Sequence, residues 1–406
     1  MLCLSGYTPR RALKVNMEQK TINTLLSLLY SAVSTEVMSE QEKKDLSAEE
    51  IQEAIKLAAS HDLGHLVAYG AKKNGLSKEI GADGEGYIFK AVYRHQQIKY
   101  ELDRLSSVLE KNGIPFLPLK GSVIRKHYPE PWMRTSCDID ILVHNEDMEK
   151  ARAILEDELK YKYEDTYSHD LSFFSPANVH VEMHFDLIEE GAVNESASVL
   201  RSVWDDVTLK DGYSYWYEMP DSLFYFYHVA HMAKHVLNGG CGIKPFIDQW
   251  ILDNMPNADK EAREELLNRG NLSKFCEVAS GLSAVWFGKG EHDEFTDRLE
   301  EYVLSGGTYG SNEHRMVLQR RKKGSRIKYI LSIAFPPYSS MKKLYPVLQK
   351  HRWLTVIMHG HRLISKLFFR SRMRRAKKIL TQINNISNDD LNCLNSFLQD
   401  VGLAES

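Results

Sequence analysis

Ile114-Pro115-Phe116-Leu117-Pro118-Leu119-Lys120-Gly121-Ser122, followed after a Pro/Trp loop over 129–135 by Asp138-Ile139-Asp140-Ile141-Leu142-Val143, is the stretch that decides how this chain reads. Its first segment is short, apolar and interrupted by prolines. It predicts an extended strand that turns at Lys120-Gly121-Ser122 into a short helix ending near Tyr128. The second segment alternates Asp with Ile, the period of two expected of a strand with one polar and one apolar face. Asp138 and Asp140 then share a face, roughly 6–7 Å apart at Cα, while Ile139 and Ile141 point into a core.

Upstream, residues 17–113 read as a helical region: Leu25, Leu26, Leu28 and Leu29 cluster, and Ser47-Ala48-Glu49-Glu50 forms a capping box. Its last helix, roughly Tyr87 to Lys111, stops at Asn112-Gly113. Downstream, a helix over 145–159 and strands over 161–167, 171–175 and 179–187 complete a core spanning 114–220, with Pro176-Ala177-Asn178 joining the last two strands. After Asp221 the pattern is helical, giving a helical domain over 221–310 and a basic helical region over 311–406. Residues 1–16 read as a disordered lead, with Met17 an alternative start. The expected fold class is α+β, a mixed-sheet core flanked by N-terminal and C-terminal helical domains.

With 43% hydrophobic and 26% charged residues, the 406-residue chain falls outside disordered and fibrous classes. A net charge of -3 gives no whole-molecule argument for an acidic partner. The distribution is uneven, however, because no Asp or Glu occurs from His314 to Asn388. Cys3, Cys137, Cys241, Cys276 and Cys393 form no CxxC pair, which fits reduced thiols in a cytoplasm and no disulfide partner.

Transfer of a nucleotidyl group requires charge neutralisation on a triphosphate, which two divalent ions about 4 Å apart supply when carboxylates converge on them. Asp138 and Asp140 meet that demand. Glu182, in His180-Val181-Glu182-Met183-His184, alternates with apolar neighbours and is the candidate third acid, with Asp186 as the fallback. Gly121-Ser122 would offer backbone N–H groups at a helix start, with Ser122 as a capping or contacting side chain. Lys120 and Arg134 would add charged contacts to phosphate. His231, Lys234 and His235 fall on one helical stripe. That stripe reads as nucleotide-binding, with a zinc pair or plain packing as the other readings and Asp248 available to orient a histidine.

Leu119-Lys120-Gly121-Ser122, Tyr128, Arg134 and Asp138-Ile-Asp-Ile-Leu-Val143 together resemble the polymerase-beta-like nucleotidyltransferase superfamily. The Leu-Lys-Gly opening, Glu182 with His184, and His231-x-x-Lys234-His235 resemble, more narrowly, a bacterial group of uncharacterised nucleotidyltransferases. The likeness spans roughly Phe116 to Trp250. Fifteen residues separate Ser122 from Asp138, longer than the usual superfamily gap and suited to the narrower group. The resemblance implies that Asp138, Asp140 and Glu182 bind Mg2+ or Mn2+. It also implies that Gly121 and Ser122 bind the phosphates of an NTP, with an NMP group passing to a hydroxyl or phosphate of a small molecule or sugar, a protein or a tRNA, releasing pyrophosphate.

A different class of reading makes the chain a non-catalytic binding protein that keeps the fold. It would use the acid-free stretch 314–388, where Trp353, Phe368 and Phe369 interleave with cations, on nucleic acid or a membrane surface.

Overall fold

The alternating Asp138–Val143 segment forms the second strand of a five-stranded sheet. In the computed structural model, which describes residues 19–404 apart from 168, 189–192, 307–309 and 369, the strands are β1 (Phe116–Pro118), β2 (Asp138–Val143), β3 (Lys162–Thr166), β4 (Asp170–Phe174) and β5 (His180–His184). The expected lead of residues 1–16, and Met17, lie outside the described residues. Strand order is β1-β2-β5-β4-β3; β2 and β5 run parallel and the other neighbours antiparallel. The protein is therefore α+β with a mixed sheet. Asn178, at φ 59°, closes the β4–β5 turn within the predicted Pro176-Ala177-Asn178 connection.

Ile139, Ile141, Val143, Leu171, Phe173, Val181 and Met183 bury one face of this sheet. Covering it are α1 (Gly81–Lys111), through Ile98, Leu105 and Leu109, and α2 (Met148–Asp157), through Met148, Ala151 and Leu155. Each such side chain contributes about 1.5–3 kcal/mol by leaving water, so the face is committed to packing. The opposite face is left to polar residues.

The helices before α1 run Gln19–Val33, Glu40–Lys44, Ala48–Ser60 and Gly64–Lys73. Ser47 and Glu50 make both hydrogen bonds of the predicted capping box. Gly70 lets two helices meet closely, since a Cβ there would lie 2.0 Å from the Leu28 carbonyl oxygen. After the sheet come α3 (Asp221–Leu237) and α4 (Lys244–Asp253), then helices to Leu304. Among the described residues, 19–310 together with 400–404 pack as one compact unit, and Ser311–Gln399 forms a second. No helix among the described residues is long and apolar enough to cross a membrane.

His61, at the C-terminal end of the Ala48–Ser60 helix, is 1% exposed and neither ring nitrogen has a hydrogen-bond partner. Burial lowers its pKa from 6.5 to about 4. The unfolded chain therefore takes up a proton below pH 6.5 that the folded chain refuses, so this stability is present above that pH and lost as pH falls toward 4. The full difference is about 3 kcal/mol. His61→Leu should raise the melting temperature more at about pH 5 than at about pH 8. Equal shifts in thermal melts at the two pH values would remove His61 from the account.

Candidate active site

Cross-strand pairing sets the polar face. Asp138 lies opposite His180 and Asp140 opposite Glu182 between β2 and β5, while Glu182 opposes Ser172 and His184 opposes Asp170 between β5 and β4. The side-chain period of two then turns Asp138, Asp140, Glu182, His184 and Asp170 to one side. Ligand atoms of Asp138, His180 and Glu182 fall within 4.8 Å of one another, as do those of Asp140, Glu182 and His184. Glu182 belongs to both groups. Burial, reinforced by the neighbouring Asp140 charge, raises the Asp138 pKa and pushes Glu182 up to about 8.

Asp140 is 3% exposed. Burial alone would raise its pKa, but the Lys120 ammonium at 2.7 Å and His184 Nε2 at 3.0 Å from Oδ1 hold the carboxyl well below the usual range. Lys120 reaches it by an unusual backbone. The Ser122 N–H donates to the Leu119 carbonyl at 3.1 Å, closing a turn in which Lys120 has φ 46° and ψ −123°. Those angles belong to the first central position of a type II′ turn, normally glycine's place. The left-handed residue is Lys120 and not Gly121. Gly121 is needed for close approach instead, because a Cβ would lie 3.3 Å from the Ser136 Cβ.

This turn corrects one sequence expectation. Ser122 does not present a spare amide, since the turn uses it, and its hydroxyl is buried without a hydrogen-bond partner. Gly121 lines the cavity above the sheet and Ser122 does not. Arg125, 8% exposed, fixes the turn from behind, with Nε donating to the Gly121 carbonyl at 2.7 Å and Nη2 to the Ser136 hydroxyl at 2.8 Å.

The cavity has a volume of about 720 Å3, within the usual range for a ligand site. The acidic face of the sheet forms one wall and α3 another, through Phe224, Tyr227, His228, His231, Lys234 and His235. The predicted His231/Lys234/His235 stripe thus opens on the same space as Asp138, Asp140 and Glu182. Burial holds His231 well below its ordinary pKa and His235 at about 4, so both are neutral near pH 7, with their Nε2 atoms 3.2 Å apart in a hydrogen bond. Burial also lowers Lys234 to about 8. The two imidazoles belong to none of the groups able to hold a metal among the described residues.

Arg134 lines the cavity, but its Nε donates to both oxygens of Asp248 at 2.8 and 2.9 Å and its Nη1 to the Thr135 carbonyl. Asp248 also accepts from the Tyr128 hydroxyl at 2.7 Å, so it orients Arg134 and Tyr128 where the sequence suggested a histidine. Asp186, the fallback acid, is exposed and caps the Ile188 N–H. Sequence reasoning missed Asp170, which is 4% exposed, faces the cavity beside His184 and has its pKa raised by burial. Its signal was the alternation Asp170/Ser172/Phe174 against Leu171/Phe173, hidden because the predicted strand began one residue late. Lys244 was missed too; it pairs with Asp62 and lies 3.0 Å from the Thr135 hydroxyl.

Substitution at Lys120 separates backbone from charge. Lys120→Ala and Lys120→Gly both remove the ammonium from Asp140, but only glycine adopts φ 46° without strain. Lys120→Gly should therefore be more stable than Lys120→Ala by about 1 kcal/mol in denaturant titration. Equal stabilities would show that the turn carries no strain.

Comparison with curated proteins gives no significant match, and comparison with solved structures gives none. A family model for an uncharacterised nucleotidyltransferase matches residues 47–288, which include every residue lining the cavity. That match covers more than half of the 406 residues, so the chain belongs to the uncharacterised nucleotidyltransferase family.

Proposed function

We propose that the protein is a metal-dependent nucleotidyltransferase that moves an NMP group from an NTP to a hydroxyl or phosphate of an acceptor and releases pyrophosphate. The observation that carries this reading is the convergence of Asp138, Asp140 and Glu182 on one cavity-facing row, with Glu182 shared between two donor groups. Each group holds two carboxylates and one histidine, and the hard carboxylate oxygens suit Mg2+ or Mn2+. The row also calls for positive charge, since Lys120 already pairs with its most buried member. Asp138, Asp140 and Glu182 would hold the ions. When bound, these supply charge neutralisation on the triphosphate and on the attacking oxygen.

The protein's own groups do the remaining work. Lys234 meets phosphate from α3, Lys120 adds charge at the turn, and the Gly121 backbone permits close approach. Glu182 orients the acceptor hydroxyl, which releases its proton to solvent as the new O–P bond forms at the α-phosphorus. The bond to the bridging oxygen breaks, and pyrophosphate leaves with the electron pair. The acceptor class is a small molecule or sugar, a protein side chain or a tRNA end, and the thiols fit a cytoplasmic setting.

The second reading, a non-catalytic binding protein, has one observation in its favour: the Lys120 ammonium lies 2.7 Å from Asp140, giving that carboxylate a cation of the protein's own. Incubation with labelled NTPs and cell fractions distinguishes them, because only the enzyme transfers label. Asp138→Asn and Asp140→Asn should each reduce transfer at least about a hundredfold while preserving the fold, since each removes a metal ligand. Near wild-type turnover in either would sink the metal-dependent reading. Lys234, at about 8, loses its charge as pH rises through that value, so NTP affinity should weaken there. Lys234→Ala should weaken binding and flatten that pH dependence in equilibrium titrations.

A further inference from the structure

The Ser311–Gln399 unit presents its apolar residues outward. In α5 (Arg326–Ala334), Ile327 and Leu331 are 71% and 49% exposed, and Phe335, one turn further, is 49% exposed. In α6 (Thr355–Phe368) the exposed side carries Val356, Ile357 and Ile364, with Trp353 just before the helix at 72%. Positions 327, 331 and 335, and positions 353, 356, 357 and 364, each recur at helical spacing. An amphipathic helix of a globular protein turns such a stripe toward the core. Here the core is made by other residues, among them Tyr329, Met341, Leu348 and Ile383.

The two stripes belong to helices fixed to one another. Arg362 Nη1, on α6, donates to the Ile333 and Ala334 carbonyls at the end of α5, at 3.2 and 2.8 Å. The Phe335 ring meets the His359 ring edge-on, with centroids 5.6 Å apart. The outward ridge is thus part of a built surface.

We propose that this unit docks on an anionic membrane surface, laying the α5 and α6 stripes at the level of the lipid headgroups. Charge complementarity argues for the occupant. Between His314 and Asn388 the sequence has 19 Lys and Arg and no Asp or Glu. Exposed cations adjoin the stripes in sequence, Arg326 and Lys328 beside Ile327 and Arg352 beside Trp353. A polybasic segment joined to an apolar helix face is the combination that binds reversibly to acidic lipid. Nucleic acid would use the cations but not the aliphatic side chains, because base stacking needs planar groups. Pairing with a second copy through this surface would oppose two acid-free faces and their like charges. No described helix crosses a membrane, so the docking is peripheral.

Co-sedimentation of the full chain with vesicles tests this. It should pellet with phosphatidylcholine vesicles containing about 30% phosphatidylserine and not with phosphatidylcholine alone. Binding should be lost at about 1 M NaCl, where the Debye length falls to about 3 Å. Val356→Ser with Ile357→Ser should weaken vesicle binding at least about tenfold while circular dichroism and NTP binding stay unchanged. If that pair unfolds the unit, Ile327→Ser with Leu331→Ser reads the same surface from α5. No pelleting with anionic vesicles, or equal pelleting with neutral ones, overturns the proposal. So does tight binding of a single-stranded RNA oligonucleotide without vesicle binding. Self-association abolished by the same apolar substitutions, again without vesicle binding, would assign the ridge to a second copy instead.

Discussion

Keeping the Asp140 carboxylate charged while burying it is the constraint that organises the unit that holds the cavity. An uncompensated buried charge costs several kcal/mol, more than the roughly 1–3 kcal/mol of an unfavourable backbone conformation. The balance explains why Lys120 stands in a turn position that glycine fills more easily. From that position the Lys120 side chain brings its ammonium to 2.7 Å from the carboxylate. The strand is tied to the same turn, since the Leu119 N–H donates to the Asp140 carbonyl at 3.0 Å. His184 completes the cluster from β5, which the parallel register with β2 places alongside. Arg125 holds the far side of the turn against Ser136. Turn, strand pairing and loop are thus fitted to one carboxylate.

Compensation of the same kind fixes the surrounding walls. Arg134 is paired with Asp248, and Lys244 with Asp62. These pairs join segments far apart in the chain: the loop before β2 to α4, and α4 to the end of the Ala48–Ser60 helix. Such pairs anchor the cavity's shape and draw the charge of Arg134 and Lys244 away from any phosphate. Breaking one would leave a buried charge alone, a larger loss than the pair's own contribution.

The sheet's polar face was legible because strand periodicity is local. Asp138 and Asp140 share a face once their segment is extended, and Glu182 joins them because the apolar neighbours of all three turn to the core when β5 pairs with β2. What was not legible depends on partners distant in sequence. Arg134 next to a nucleotide-binding motif reads as a phosphate ligand, and nothing nearby announces that Asp248, on another helix, will engage it. The Ser122 amide looked available until the turn geometry consumed it. Asp170 escaped through a one-residue error in a strand boundary. The histidines were placed on the correct stripe, yet their protonation depends on burial, which helical spacing does not report.

That last point changes the character of the α3 wall. A row of carboxylates across the cavity attracts protons to His231 and His235, and Asp140 does act in that direction on His231. Burial outweighs it at His231 and dominates at His235, and the nearby Lys120 charge adds to the lowering of both. Two neutral imidazoles joined by one hydrogen bond must act as donor and acceptor, so their tautomers are linked and the pair offers directed polar atoms without net charge. A wall so built can orient an uncharged part of a ligand while Lys234, one residue before His235, supplies the positive charge. The α3 wall therefore combines one cationic side chain, Lys234, with neutral rings, while Lys120, Arg134 and Lys244 each face a carboxylate.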